Sequence, residues 1–364
     1  MSNRREAVLQ HKKHFHVLDG LRGVAAISVV VFHYMEWVQP DITKNFIGHG
    51  FLAVDFFFCL SGFVIGYAYD SRLLKIGVRE FFVSRLIRLH PLVVAGAVLG
   101  LIGLFADPFG NHSENYSVAT LVLIFVCSLL LIPLPIMEER GFNLFGLNAP
   151  GWSLFWEYIA NILYALVLVR LSKKTLWGLL VVASIAIIWV SYTSGNLLGG
   201  WSGATFADGG IRMAYSFLAG LLIFRSGWAI KNKLGFMGLS AMLVVAFVMP
   251  WFSNNWLVES VMVLFYFPLL IILGVGTNLS GPFKKVCVFL GKISYPLYMT
   301  HYFGIWWFGN YYTTQNPSTE SMPWIVGGGT VIMLVFAWLV MVLYDEPVRK
   351  FLNKKRKEQW RTKA

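Results

Sequence analysis

Arg22 and His33 lie eleven residues apart in the run DGLRGVAAISVVVFHYMEW, residues 19–37. On a helix that spacing is almost three full turns, so both side chains share one face, about 16 Å apart along the axis. A guanidinium suits phosphates, which it grips with paired N–H donors. An imidazole titrating near neutral pH exchanges protons with hydroxyls. Further along, Asp55 stands in GFLAVDFFFC, Arg85 and Arg88 in SRLIRLHP, Glu157 in GWSLFWEY and His301 in YMTHYF. Arg85 and Arg88, three apart, fall on one helix face. The set reads as an anion site, Arg22 with Arg85 and Arg88, and an acid–base site, His33 with Asp55, Glu157 and His301. Asp19 is an internal partner for the first. Such a pair of sites suits chemistry that takes an activated group from a phosphorylated donor and hands it to an acceptor elsewhere.

Each residue also has a plainer reading. The arginines could be charged anchors at helix ends, His33 a satisfied interhelical hydrogen bond, and Asp55 and Glu157 structural ion-pair partners. Ser61 in LSGF reads as a small packing residue rather than a nucleophile. Trp152 and Tyr295 read first as interfacial or core aromatics.

The elements that hold these residues are apolar. The 364-residue chain is 57% hydrophobic and only 13% charged, where soluble domains are roughly a quarter charged. Segments of about 20 apolar residues span a bilayer. Candidates run near 17–37, 50–69, 85–105, 118–134, 151–170, 175–193, 208–225, 234–251, 258–276, 286–308 and 324–344. The expected fold is therefore all-α, a polytopic transmembrane helix bundle. An ionisable group at the bilayer centre costs roughly 2.5–3.5 kcal/mol on insertion scales, so such residues face the bundle interior and mark function. The net charge of +12 sits in short basic clusters between greasy runs, a positive-inside pattern. No basic patch interleaves aromatics as nucleic-acid binding asks. Cys59, Cys127 and Cys287 are far apart and odd in number, which gives neither a disulfide framework nor a metal site. The first apolar run has no small-residue cleavage site and reads as a retained helix. The absence of internal repeats speaks against an inverted-repeat transporter.

Both basic ends ask for the cytosol, yet eleven crossings would separate them. The loops 107–117 and 137–151 are both expected outside, so segment 118–134, which ends at Pro133 and Pro135, is read as re-entrant. About ten crossings remain, in the inner or plasma membrane with both termini cytosolic. Three regions follow: a basic arm over 1–15, a membrane domain over 16–345 and a basic tail over 346–364. This topology puts His33, Asp55, Glu157 and His301 at one depth in the outer half, and the three arginines near the cytosol.

Several blocks together resemble the integral-membrane acyltransferase-3 family. LDGLRGVAAISVVVFHY is similar to its first helix, GFLAVDFFFCLSGFVIG to its second-helix block and SRLIRLHP to its two-arginine element. PGWSLFWEYIANILYAL, with Trp152, Ser153, Leu154 and Glu157, resembles its Trp-Ser-Leu…Glu segment. GKISYPLYMTHYF, with Tyr298 and His301, and the terminal YDEPVRKFL also match in order. The resemblance implies an acyltransferase moving an acyl group, often acetyl, from acyl-coenzyme A to a hydroxyl of an extracytoplasmic or membrane-linked carbohydrate or glycolipid. It implies a donor substrate rather than a resident cofactor, and no metal. On that reading Arg22, Arg85 and Arg88 hold the donor phosphates, His33 oriented by Asp55 is the base, Glu157 and His301 assist, and Trp152, Ser153 and Tyr298 line the substrate site. The rival expectation is a proton-coupled transporter or flippase of a surface-polymer precursor. Nothing in the sequence sets the acceptor or the oligomeric state.

Overall fold

The computed structural model describes residues 14–110, 112–279 and 281–361. The basic arm therefore lies almost wholly outside the described residues. Helix α1 (His16–Val38) is followed by a tight turn, Gly50–Leu52, that leads into α2 (Ala53–Tyr69). Then come α3 (Val78–Phe105), α4 (Val118–Leu130), α5 (Gly151–Leu166), α6 (Lys173–Ser194) and α7 (Phe206–Ser226). α8 (Gly235–Val248) precedes α9 (Asn255–Gly276), which contains a π-helical turn over Met262–Tyr266. α10 (Pro282–Thr300) and α11 (Tyr302–Gln315) follow. α12 (Met322–Val340) continues through a π turn, Met341–Asp345, into the basic α13 (Glu346–Arg361). Among the described residues seven helices are long and apolar enough to cross a membrane, and the one strand-like pairing is an isolated bridge between Asn143 and Ser202. The chain is an all-α, multi-pass membrane bundle.

The ends of the helices follow local chemistry. Ser117 and Ser172 each cap a helix by accepting from a backbone N–H three residues on, both at 3.1 Å. Gly195 and Gly227 close α6 and α7 in the left-handed conformation. α3 begins seven residues earlier than the sequence suggested, directly after Gly77 (φ +84°), so Arg85 and Arg88 sit two turns inside a helix rather than at its start.

Two departures matter for the site. The expected single segment 286–308 is two helices, broken at His301. There Thr300 Oγ1 donates to the Pro296 carbonyl at 2.7 Å and His301 Nδ1 reaches the Leu297 carbonyl at 2.9 Å. Side chains that bond back to carbonyls four residues earlier bend a helix. Segment 118–134 is helical only to Leu130; Leu131 turns left-handed (φ +52°) and the chain leaves extended through Pro133 and Pro135. Thirteen helical residues rise about 20 Å, short of a bilayer core of about 30 Å. Tyr116, just before α4, donates to Glu139, just after it, so both flanks of α4 lie at the same end of the bundle.

Glycines bring helices into backbone contact. A Cβ added at Gly220 would lie 1.8 Å from the Cys59 carbonyl oxygen, and one at Gly62 2.0 Å from that of Phe217. That locks α2 against α7. α1 and α10 run parallel in the same manner, with Gly20 on Cys287 and Gly23 on Leu290. Leu21, Leu52, Phe56, Phe247, Phe267 and Ile271 fill the core between these helices. Val122 and Val126 of α4, Val182 and Ile185 of α6, and Val331 and Val335 of α12 face outward as an apolar belt.

Candidate functional site

The parallel packing of α1 on α10 sets two levels. At the lower one, Arg22 donates to the Gly291 carbonyl (2.5 Å) and the Ser294 hydroxyl (2.9 Å), with Asp19 3.7 Å away. Ten or eleven residues further along both helices, His33 meets His301, their rings stacked 5.4 Å apart. The two ends of α1 thus present an arginine level and a histidine level.

At the arginine level a cavity of about 630 Å3 opens between α1, α2, α3, α5 and α10. Its wall carries Arg22, Arg85, Arg88, Lys292 and Arg349, with Asp19, Glu157, Asp345 and Glu346 among them. Arg85 is buried and donates to Glu157 Oε1 at 2.8 Å, and Ser61 donates to the same oxygen at 3.2 Å. Glu157 therefore belongs with the arginines, not with His33 as expected. The reason is geometric: Glu157 enters two turns below the start of α5, and Arg85 lies two turns above the start of α3, so the opposed helices level them. Arg349 pairs with Asp345 at 3.1 Å, while Arg88 and Lys292 have no ion-pair partner among the described residues. At the mouth, His14, His16 and Asp19 bring ligand atoms within 4.8 Å of one another, a grouping that the sequence reading did not single out.

The cavity narrows to aromatics and hydroxyls. Tyr298 hydrogen-bonds Ser153 at 2.7 Å, Ser153 donates on to the Pro150 carbonyl (3.1 Å), and Phe57 meets Tyr298 edge-on at 5.5 Å. The Tyr298 ring is 6.2 Å from that of His301. Neither His33 nor His301 lines the cavity; Tyr298 stands where the two levels meet.

Asp55 does not orient His33. Its carboxylate accepts from Arg212 Nε and Nη2 at 3.2 and 2.6 Å, with both side chains fully buried. Arg212 also donates to the carbonyls of Gly199 (2.7 Å) and Phe51 (3.1 Å). Trp152 covers that guanidinium at 5.3 Å, and so joins this pair rather than the cavity wall. The glycine-locked contact of α2 with α7 points Asp55 at Arg212, and a buried carboxylate is stabilised most by a permanently charged fork.

His33 takes its carboxylate from its own helix: Nδ1 lies 2.5 Å from Glu36 Oε2, one turn on. A carboxylate and a backbone carbonyl only accept, so Nδ1 carries the hydrogen in both His33 and His301, and Nε2 is the accepting nitrogen of the neutral ring. His301 Nε2 is buried with no hydrogen-bond partner among the described residues. His33 keeps about a fifth of its side chain exposed. Tyr302 meets both rings edge-on, Trp306 and then Trp37 follow behind it, and Arg140, from the loop before α5, lies 3.6 Å over the Trp306 ring. Burial lowers the Arg140 guanidinium below its ordinary pKa.

Of the expected acid–base group the structure thus brings together His33 and His301, and parts them from Asp55 and Glu157. It adds Glu36, Lys292, Arg349 and Arg140. Glu36, one turn after His33, had a sequence signal in the i, i+3 rule; Arg140, in a loop, had none.

The chain matches, over residues 15–342, the family described as an acyltransferase domain. It is similar to Protein 2 in the picA locus of Rhizobium radiobacter, at 32% identity over 48% of this chain and 93% of that one. It is also similar to the O-acetyltransferase OatA of Staphylococcus aureus (strain NCTC 8325 / PS 47), at 26% identity over 81% of this chain and 51% of OatA. A putative O-acetyltransferase of Staphylococcus aureus (strain COL) shares 24% identity over 85% of this chain and 54% of its own length. The chain spans about half the length of these two Staphylococcus relatives. No solved structure matches it.

Proposed function

The chain belongs to the acyltransferase domain family, and from that premise we propose that it transfers an acetyl group from acetyl-coenzyme A to a hydroxyl of a carbohydrate or glycolipid. The observation that carries this reading is the cavity: about 630 Å3, lined by five cationic side chains of which Arg88 and Lys292 are unpaired among the described residues, and ending at Tyr298 beside the His33–His301 pair. That volume falls in the range of roughly 300–1,000 Å3 of ligand sites. Arg88 and Lys292, unpaired among the described residues, receive the phosphates, helped by Arg22, Arg85 and Arg349. The thioester arm passes upward to Ser153 and Tyr298. Tyr298 must swing aside for the carbonyl to reach the histidines.

Chemistry then runs at the histidine level. Glu36 holds the His33 Nδ1–H, and Nε2 takes the proton of the acceptor hydroxyl as its oxygen attacks the thioester carbonyl. The C–S bond breaks, the acyl–oxygen bond forms, and the coenzyme thiolate takes up the proton from His33. His301, with a buried Nε2 lone pair, receives a hydrogen bond from the imidazolium or the incoming hydroxyl. We read the arginine level as cytosolic and the histidine level as extracytoplasmic, with both termini inside and ten crossings made by the seven long helices, α5, α8 and the α10–α11 pair. The basic residues of the N-terminal arm and of α13, together with the re-entrant path of α4, support that orientation.

The test is purified protein in lipid nanodiscs given acetyl-coenzyme A labelled in the acetyl carbon and a total glycan extract. Label is expected in the glycan fraction as an ester released by mild base. Label that never leaves the thioester, with folded protein, overturns the reading.

A further inference from the structure

Arg140 combines burial with an unpartnered Nε donor, with the charges of Glu139 and Asp107 near it. Its residue is only 7% exposed, and its Nε is buried with no hydrogen-bond partner among the described residues. No carboxylate lies within ion-pairing distance of it among those residues, although acids surround it. Glu139 Oε2 accepts from Tyr116 while its Oε1 is buried and likewise unpartnered among the described residues, and Asp107 accepts from Asn310 at 2.5 Å. What Arg140 does touch is the face of Trp306, 3.6 Å from the guanidinium centre. An indole offers a π face but no acceptor atom, so the buried Nε–H of Arg140 remains unspent. A buried donor on a charged group left unspent is costly to maintain, which argues for a ligand that completes it.

The position says which ligand. Trp306 contacts Trp37 (5.2 Å) and Tyr302 (6.3 Å), and Tyr302 contacts His33 (6.0 Å). Arg140 thus sits on the same aromatic wall as the proposed base, at the level away from the donor cavity, separated from it by Tyr298. Aromatic faces next to a charged donor suit sugar rings bearing an anion.

We propose that Arg140 and Trp306 form an acceptor subsite that binds an anionic oxygen group, a carboxylate or a phosphate, carried by the glycan unit whose hydroxyl, or whose neighbour's hydroxyl, meets His33. This inference rests on the acyl-transfer reading for its meaning, but the subsite can be tested without turnover. A carboxylate of a uronic acid and a phosphate of a polyol phosphate share the recognising chemistry, a planar fork gripping paired oxygens. The subsite would make the enzyme selective for acidic over neutral acceptors.

The test measures equilibrium binding to the full protein in nanodiscs by saturation-transfer NMR. The probes are methyl β-glucuronide against methyl β-glucoside, and glycerol 3-phosphate against glycerol. One anion is expected to bind about tenfold or more tighter than its neutral counterpart, as a charge-assisted contact gives. Whichever anion binds identifies the source of the charge. Arg140→Gln should erase the preference, and Arg140→Lys, which keeps the charge and loses the fork, should retain part of it. Donor consumption with the glycan extract should fall through acceptor KM rather than kcat. Should Arg140→Gln fail to fold, Trp306→Leu, which removes the platform and leaves the charge, must weaken anion binding as well. Equal binding of charged and neutral probes, no detectable binding of either anion, or an undiminished preference in Arg140→Gln overturns the proposal. Loss of the preference in Arg140→Gln without any acetyl transfer by wild-type protein would keep the subsite and sink the acyl-transfer reading instead.

Discussion

The Asp55–Arg212 pair allows a prediction worked from distances. Both side chains are fully buried, and three N–H···O contacts at 2.6–3.2 Å join them. Asp55→Asn keeps the shape and removes the charge, stranding a guanidinium in the core. Breaking one partner of a buried pair costs about 3–5 kcal/mol, two to four orders of magnitude in the folding equilibrium. Arg212→Met strands the carboxylate instead and should cost a similar amount. The double variant Asp55→Asn/Arg212→Met leaves no unpaired charge. It still leaves the carbonyls of Gly199 and Phe51 without their donor, at about 1–3 kcal/mol each, so recovery should be partial. The double variant should therefore be less damaged than the sum of the single changes. Unfolding by sodium dodecyl sulfate in mixed micelles reads all three free energies. Strictly additive costs, or an Asp55→Asn penalty below about 1 kcal/mol, would refute the claim that this pair is an internal clamp. A second readout separates clamp from catalytic orienter: folded double-variant protein should retain acetyl transfer, because Glu36 holds His33.

Arg88→Gln should raise the apparent constant for acetyl-coenzyme A about tenfold with thermal stability unchanged, since Arg88 is exposed to the cavity and unpaired among the described residues. Arg85→Gln should weaken the donor as well and also destabilise the fold, because it unpairs Glu157; identical behaviour of the two variants would contradict the geometry. Cysteines placed in 107–110 and at Glu138, Gly141 or Phe142 should both react with an impermeant thiol reagent added outside intact cells, as the Tyr116–Glu139 contact requires with loop 107–117 outside. Labelling from opposite faces would make α4 a true crossing.

Much of this was legible in the chain. Hydropathy located the helices, the two prolines after α4 marked a segment that turns back, and the eleven-residue spacing of Arg22 and His33 separated the two levels. The pairing of charges was not legible. Depth alone cannot tell Asp55 which of two neighbours it faces, and here the Gly62 and Gly220 contacts turn α2 toward Arg212 instead of α1. Glu157 was misplaced because α3 starts at Val78, which raises Arg85 to its level. The meeting of His33 with His301 follows from a parallel register fixed by Gly20 and Gly23, a fact of packing with no local signature. Arg140 sits in a loop whose course depends on α4 returning to the same end.

The central claim is that His33 Nε2, with its Nδ1 held by Glu36, takes the proton of the acceptor hydroxyl. Acetyl transfer measured side by side for wild type, His33→Ala and Glu36→Gln, at equal levels of folded protein in nanodiscs, tests it most directly. The account predicts that His33→Ala abolishes transfer while acetyl-coenzyme A still binds with wild-type affinity. It predicts that Glu36→Gln loses about 10²–10⁴-fold in kcat, the range of general-base assistance, with little change in donor KM. Transfer by His33→Ala above a few per cent of wild type would contradict it.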